Sequence, residues 1–309
     1  MMDYKQIVRL GEQQKKKVGG YRHPRSRSRT PLKVSARQYA AQLLQERLTA
    51  RDLELARALI GVGMLTRHQI QRMLFADNAK LASNRLVKLY HYHFLDRSSY
   101  WLADMGYEGF EPCYIYTIGA TGLEAIALQM GIARSQVPYP TGRYTLSRED
   151  HFLLHDLQVS EMFTRLRLGG LERGCDLVWF NESAAMQRYG EEEIVRPDGI
   201  AILMGEGQQA AFFVEMDRGN TDWAHKVKAY ERGRRQVAWQ VALRVDGWQP
   251  TTYPAVLCVA PDGIAREVAN TIAGSPAQTQ FYLKSWRTFL ETDIFGGWYD
   301  CHAREIVSL

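Results

Sequence analysis

The sequence predicts an α/β (α+β) protein of two domains, a small helical one closed by a β-hairpin and a larger one built on a mixed sheet. Three observations predict it. Between Thr49 and Gly131, runs with apolar residues at helical spacing follow capping residues, and a single pair of β-rich runs interrupts them. After residue 145 the order becomes one long helical run, three β-rich runs, a helix and a further apolar β run. PYPTGRY, residues 138–144, is a linker-like break between the two patterns. At 309 residues the chain is long enough for two sizeable cores.

Residues 1–34 lack apolar periodicity, and KKKVGGYRHPRSRSRTP reads as a flexible, basic arm. A first helix is expected over Ser35–Leu48, with Tyr39, Leu43, Leu44 and Leu48 as its apolar stripe. Thr49 suits the N-cap of a second helix that stops at the Gly61/Gly63 pair. Thr66 caps a third, RHQIQRMLF, and the turn ADNAK leads into a fourth, LASNRLVKLYHYHFL, with Leu81, Leu86, Leu89 and Tyr90 facing inward. DRSSYWLA and CYIYTIG then form a hairpin around DMGYEGFEP, and Thr121 opens the closing helix. Together these make a winged helix-turn-helix over residues 35–137. The outward face of its fourth helix offers Ser83, Asn84, Arg85 and Lys88 to base edges and phosphates of a major groove. The same pattern also suits a helical domain used for protein contact alone.

Charge is unevenly placed. Residues 1–37 hold eleven Lys/Arg against Asp3 and Glu12, a net +9, while the rest of the chain is −4. A basic arm on a mildly acidic body suggests duplex DNA as partner, with Lys15, Lys16, Lys17, Arg25, Arg27 and Arg29 releasing counterions from phosphates. A solvated tail that aids solubility is the alternative. No run of about 18 uncharged apolar residues predicts a membrane span. No apolar segment follows the basic N-terminus, so a secretory signal is not expected and the cytoplasm is. Four scattered cysteines without CxxC spacing read as reduced thiols.

In the second domain, residues 145–309, Ser147 caps a long helix for which Gly169-Gly170 is the expected stop. DLVWFNE, VRPDGIAILM and QQAAFFVEMD follow as strands, the last two a hairpin around Gly205-Glu206-Gly207. A helix from Asn220 or Thr221 to about Arg235, the strand PAVLCVAP, a helix from Gly263 to about Thr271 and the segment WRTFLETDIFG complete an α-β-β-β-α-β-α order.

The chemistry centres on the hairpin. Asp198 heads its first strand and Glu215 ends its second, so their carboxylates can converge. Glu215 and Asp217, two apart, face one side. Converging carboxylates make a hard-oxygen site for Mg2+ or Mn2+, which activates water and neutralises a scissile phosphate. Turn chemistry at strand ends, or pairing of Glu215 with Arg196 or Arg218, accounts for the same acids without a metal. His151 and His155, at i and i+4, have zinc spacing but no third ligand. His91 and His93 do not share a helix face. ERGRR, residues 231–235, either guides DNA toward the acids or complements a helix dipole. No arrangement supports a Ser or Cys nucleophile.

Pro197-Asp198 followed by Glu215-Met216-Asp217, on strands in this order, resembles the PD-(D/E)XK nuclease superfamily. The resemblance implies a mixed-sheet α-β-β-β-α-β core, Asp198 and Glu215 as metal ligands, and a lysine two residues beyond Glu215. Asp217 stands there instead, and in some members the lysine comes from the next helix, where Lys226 and Lys228 are available. Glu161 matches a helical glutamate that members carry before the first strand. The blocks LTRHQIQRMLF, YIYTIGATGLEAI, HDLQVSEMF, VRPDGIAIL, FFVEMDRGN and KVKAY, over roughly residues 49 to 260, also resemble the plasmid and mobile-element replication-relaxation family. That resemblance implies DNA binding tied to replication or relaxation, and agrees with replication or relaxosome proteins and a second copy of the chain as partners. It leaves open whether the second domain cuts DNA or is a catalytically dead platform in an initiator, accessory or transcriptional protein.

Overall fold

The computed structural model describes residues 30–100, 113–139, 150–189, 192–206, 208–236, 239–240, 243, 245 and 249–309. The arm before residue 30, the expected wing tip 101–112 and the linker with Ser147 lie outside the described residues. The chain divides into two compact units, Met1–Arg148 and Glu149–Leu309.

The first unit comprises α1 (Ala36–Glu46), α2 (Ala50–Val62), β1 (Met64–Thr66), α3 (Arg67–Leu74), α4 (Ala79–His91), β2 (Leu95–Tyr100), β3 (Cys113–Ile118) and α5 (Ala120–Met130). Three of its helices start at capping boxes: Ser35 with Gln38, Thr49 with Asp52, and Thr66 with Gln69. In each, the hydroxyl accepts from the N3 amide while the N3 side chain returns to the cap amide, satisfying two otherwise orphaned donors. Gly63, at φ 84, ends α2 in a conformation that costs a side-chain residue energy. β3 lies between β1 and β2 in an antiparallel three-stranded sheet. Leu55, Leu59, Ile70, Leu86, Leu89 and Ile115 fill the core beneath it.

Two expectations change here. Leu81 is 56% exposed, because Asn78 caps α4 and Ala82 takes the inward position of the first turn. Gly119, not Thr121, holds the N-cap of α5. A Cβ at Gly119 would lie 2.4 Å from the His93 carbonyl oxygen, so only glycine lets α5 start so close to the chain entering β2.

The second unit runs α6 (Asp150–Glu172), β4 (Asp176–Asn181), α7 (Glu182–Ala185), β5 (Gln187–Tyr189), β6 (Glu192–Val195), β7 (Gly199–Gly205), β8 (Gln208–Met216), α8 (Trp223–Arg234), β9 (Ala255–Ala260), α9 (Ala265–Ala273), β10 (Phe281–Ser285), α10 (Trp286–Glu291), β11 (Trp298–Asp300) and β12 (Glu305–Val307). Seven strands form one mixed sheet in the order β12-β11-β10-β9-β8-β7-β4, and β5 pairs with β6 apart from it. β8, β9 and β10 are mutually parallel, and the other pairings are antiparallel.

Alternation along the strands builds two cores. Ile200, Phe213, Val256 and Cys258 meet Trp223, Val227 and Tyr230 of α8 and Val268 and Ile272 of α9. Ala201, Val214, Met216 and Leu257 meet Val159, Met162 and Leu166 of α6 and Phe289 of α10. The sheet is therefore a central layer with helices on both faces, and period-two patterning decides which side chain each layer receives.

Further corrections concern chain breaks. Gly169-Gly170 does not stop α6, which continues to Glu172 before Gly174 turns at φ 69. A Cβ at Gly169 would lie 2.4 Å from Ile294 Cγ2, so the pair admits close packing within the helix. VRPDGIAILM is not one strand: Val195 ends β6 and Gly199 begins β7, leaving Arg196-Pro197-Asp198 as the crossing between them. β10, β11 and β12 extend the sheet beyond PAVLCVAP, the last strand expected.

Candidate active site at the ends of the central strands

Asp198 lies one residue before β7, where β8 ends beside it. Its amide donates to the Val214 carbonyl at 3.0 Å, and its Oδ2 accepts from the Met216 amide at 2.7 Å. Backbone and side chain thus both fix it against β8. Its Oδ1 lies 3.3 Å from Nε2 of His155 on α6, whose Nδ1 is 3.8 Å from Asp156 Oδ1.

Glu215 is on the α8 side of β8 and is 1% exposed. Its Oε2 accepts from the Lys226 ammonium and its Oε1 from the Tyr230 hydroxyl, the latter at 2.5 Å. Lys226 and Tyr230 stand one turn apart on α8, so one helix face supplies both donors. The cluster draws on both helical layers, with His155 arriving from α6 and Lys226 from α8.

The environments set the charges. Burial disfavours the Asp198 carboxylate, but His155, Lys226 and the Met216 amide outweigh it and hold the pKa below the usual carboxylate range. Burial would lower His155, yet Asp198 and Asp156 raise it to about 9. Burial pushes Glu215 up to about 7, against the pull of Lys226 and Tyr230 and with a contribution from Asp198. Burial would lower Lys226, and the two carboxylates more than offset it, so the ammonium is retained.

Asp217 takes no part in this convergence. Its Oδ1 accepts from the Gly219 amide at 2.8 Å and the Thr221 hydroxyl at 2.7 Å, and its Oδ2 from Trp223 Nε1 at 2.8 Å. It anchors the turn into α8. Glu161 is buried on α6, six residues or roughly 9 Å of helix rise beyond His155. Lys228 is exposed and points away from the acids, two residues and about 200° round the helix from Lys226. The His151 side chain lies outside the described residues.

On α4, Asn84 and Lys88 are exposed and Ser83 is half-buried. Arg85 is committed elsewhere: its Nε donates to Asp52 Oδ1 at 2.8 Å, and its Nη2 to Asp52 Oδ2 and to the Arg47 carbonyl at 2.9 Å. Asp52, 1% exposed, also completes the capping box of α2, so one carboxylate locks α4 to α2. Lys15, Lys16, Lys17, Arg25, Arg27 and Arg29 lie outside the described residues.

Among the described residues no group of three or more His, Cys, Asp or Glu is arranged to hold a metal ion, and no helix is long and apolar enough to cross a membrane. Asp198 and Glu215 are hard oxygen donors of the kind a divalent cation takes, and here their counter-charges are His155 and Lys226.

Of the residues expected from sequence, Asp198, Glu215 and Lys226 come together, while Asp217 and Lys228 do not join them. His155 and Tyr230 are the additions. Their signals were the i,i+4 histidine spacing and the shared helix face with Lys226.

The class of protein is thus a helical unit with a three-stranded sheet joined to a mixed-sheet α/β unit carrying an acid–lysine cluster. The chain belongs to the replication-relaxation family, whose family model matches residues 57–245. Membership ties it to replication or relaxation of plasmids and other mobile elements. The match covers α4 and the whole acid–lysine cluster. No curated protein and no solved structure matches the chain.

Proposed function

We propose that this chain binds duplex DNA through its first unit, acting as a winged helix, and that its second unit is a phosphodiester-cleaving domain of the PD-(D/E)XK type. The observation that carries the reading is the reach of Lys226: a cation from α8 stands at Glu215, supplying what Asp217 does not. The order α6-β4-β7-β8-α8-β9, with α7 and the β5–β6 hairpin inserted, agrees with the α-β-β-β-α-β core. On α4, Asn84 has the paired donor and acceptor that suit an adenine edge, and Lys88 suits a phosphate.

Mg2+ or Mn2+ held by Asp198 and Glu215 would supply Lewis-acid neutralisation and an activated water. Lys226 binds a non-bridging phosphate oxygen and balances developing charge. His155, protonated up to about pH 9, keeps Asp198 oriented and is a second cation beside the phosphate.

Incubation with supercoiled and linear DNA plus Mg2+ or Mn2+ tests this. Wild type is expected to nick, and Asp198→Ala, Glu215→Ala and Lys226→Ala to lose at least a hundredfold while retaining DNA binding. Binding without cutting in wild type would sink the nuclease reading. One observation favours that second outcome, a non-catalytic initiator, accessory or regulatory DNA-binding protein: His155, Lys226 and Tyr230 already satisfy the acids.

A further inference from the structure

The solvent face of α8 carries charge that the acid cluster does not use. His225, Lys228, Arg232 and Arg235 are exposed, at spacings of three, four and three that place them in one stripe. The helix's one acid, Glu231, is turned inward. It is 7% exposed, and its Oε1 accepts from the Thr279 amide and hydroxyl, both at 2.6 Å, and from the Gln278 amide at 2.9 Å. Lys228, Arg232 and Arg235 line a cleft of about 530 Å³ together with Glu231, Ser275 and Pro276.

The stripe is not a sample of its surroundings. Residues 149–309 hold 23 Asp/Glu against 16 Lys/Arg, yet this face is basic throughout. Complementing the helix dipole accounts for cations in the last turn, where Arg232 and Arg235 stand. It does not account for Lys228 in the middle of the helix.

We infer that this face of α8 is a second DNA contact, which grips the phosphodiester backbone of a duplex without reading its sequence. Lys228 to Arg235 spans about 10 Å of helix rise, the extent of about three phosphates along one strand. The two guanidiniums offer bidentate forks to phosphate oxygens, and the lysine a point charge. The stripe lies on roughly the opposite side of α8 from Lys226, so the DNA it holds flanks the acid cluster and is not the scissile segment. The inference rests on DNA being the ligand, but not on cleavage.

The test uses the full chain and a duplex of about 30 base pairs, with affinity measured across a salt series. Substituting Lys228→Gln, Arg232→Gln and Arg235→Gln together is expected to flatten the slope of log K against log salt by about 2.7, and Lys228→Gln alone by about 0.9. Asn84→Ala with Lys88→Ala, on α4, serves as the comparison. An unchanged slope in both α8 variants, with weakened binding in the α4 variant, overturns the α8 contact and leaves the DNA reading standing. Wild type that binds no duplex at low salt overturns both. Flattening seen with single-stranded but not duplex DNA overturns the duplex assignment. The single Lys228→Gln change is at a solvent-exposed position, so it keeps the test decisive if the triple variant unfolds.

Discussion

Asp217 sits at the strand position where the resemblance to nucleases expects a lysine, and its two oxygens hold a turn instead. The sequence displays the missing lysine plainly. It does not display the partners Thr221 and Trp223, because those contacts depend on how the chain turns into α8. Restoring the motif letter with Asp217→Lys is therefore expected to harm the protein. It would bury an ammonium among three donors, lowering stability by about 3 kcal/mol or more with no gain in nicking, as read by denaturant unfolding and by the plasmid assay. His155 gives a prediction in pH. Its folded pKa of about 9 lies above the unfolded value near 6.5, so its contribution is full below about pH 6.5 and is lost as pH rises through 9. The stability difference between wild type and His155→Gln, about 2–3 kcal/mol at pH 6, should shrink across that window in urea titrations. A difference that stays constant from pH 6 to 9.5 would count against the His155–Asp198 pair.

Elements were legible in the sequence where their signals are local. The boxes Ser35–Gln38, Thr49–Asp52 and Thr66–Gln69 mark helix starts by residue type and spacing alone, and each forms. Signals that depend on distant packing were not. Gly169-Gly170 reads as a stop because glycine is a poor helix former, yet contact with Ile294 and Phe295 favours it inside α6. Gly169→Ala is accordingly expected to destabilise the second unit by about 1–3 kcal/mol, although alanine is intrinsically the better helix former. Thermal unfolding would check the sign. Strands of three residues, such as β11 and β12, carry too few positions for alternation to show, so the sheet's far edge was invisible. Arg85 combined the two cases. Its outward-looking position suggested a DNA contact, and only the fold reveals Asp52 beneath it. Arg85→Ala should cost about 2–3 kcal/mol of first-unit stability, since it strands a buried carboxylate.

At the scale of the molecule, the sequence separates charge from chemistry. A net +9 lies in residues 1–37, ahead of the family match at 57–245, whereas α4 and the acid–lysine cluster lie inside it. Removing residues 1–34 is thus expected to weaken DNA binding and flatten its salt dependence while leaving nicking chemistry on bound DNA intact, a separation that titration and single-turnover assays would resolve.

Lys226 also has a consequence for how the sheet is assembled. Because the ammonium comes from a helix, its pairing depends on which side chain β8 presents to that helix. Sliding β8 by one residue against its neighbours would exchange Glu215 for Val214 or Met216 on the α8 side, leaving Lys226 and the Tyr230 hydroxyl facing hydrocarbon. That misalignment would forfeit a few kcal/mol in unpaired charge alone. The bonds from Lys226 and Tyr230 thus favour the register that turns Glu215 toward α8, whether or not the cluster ever meets a phosphate.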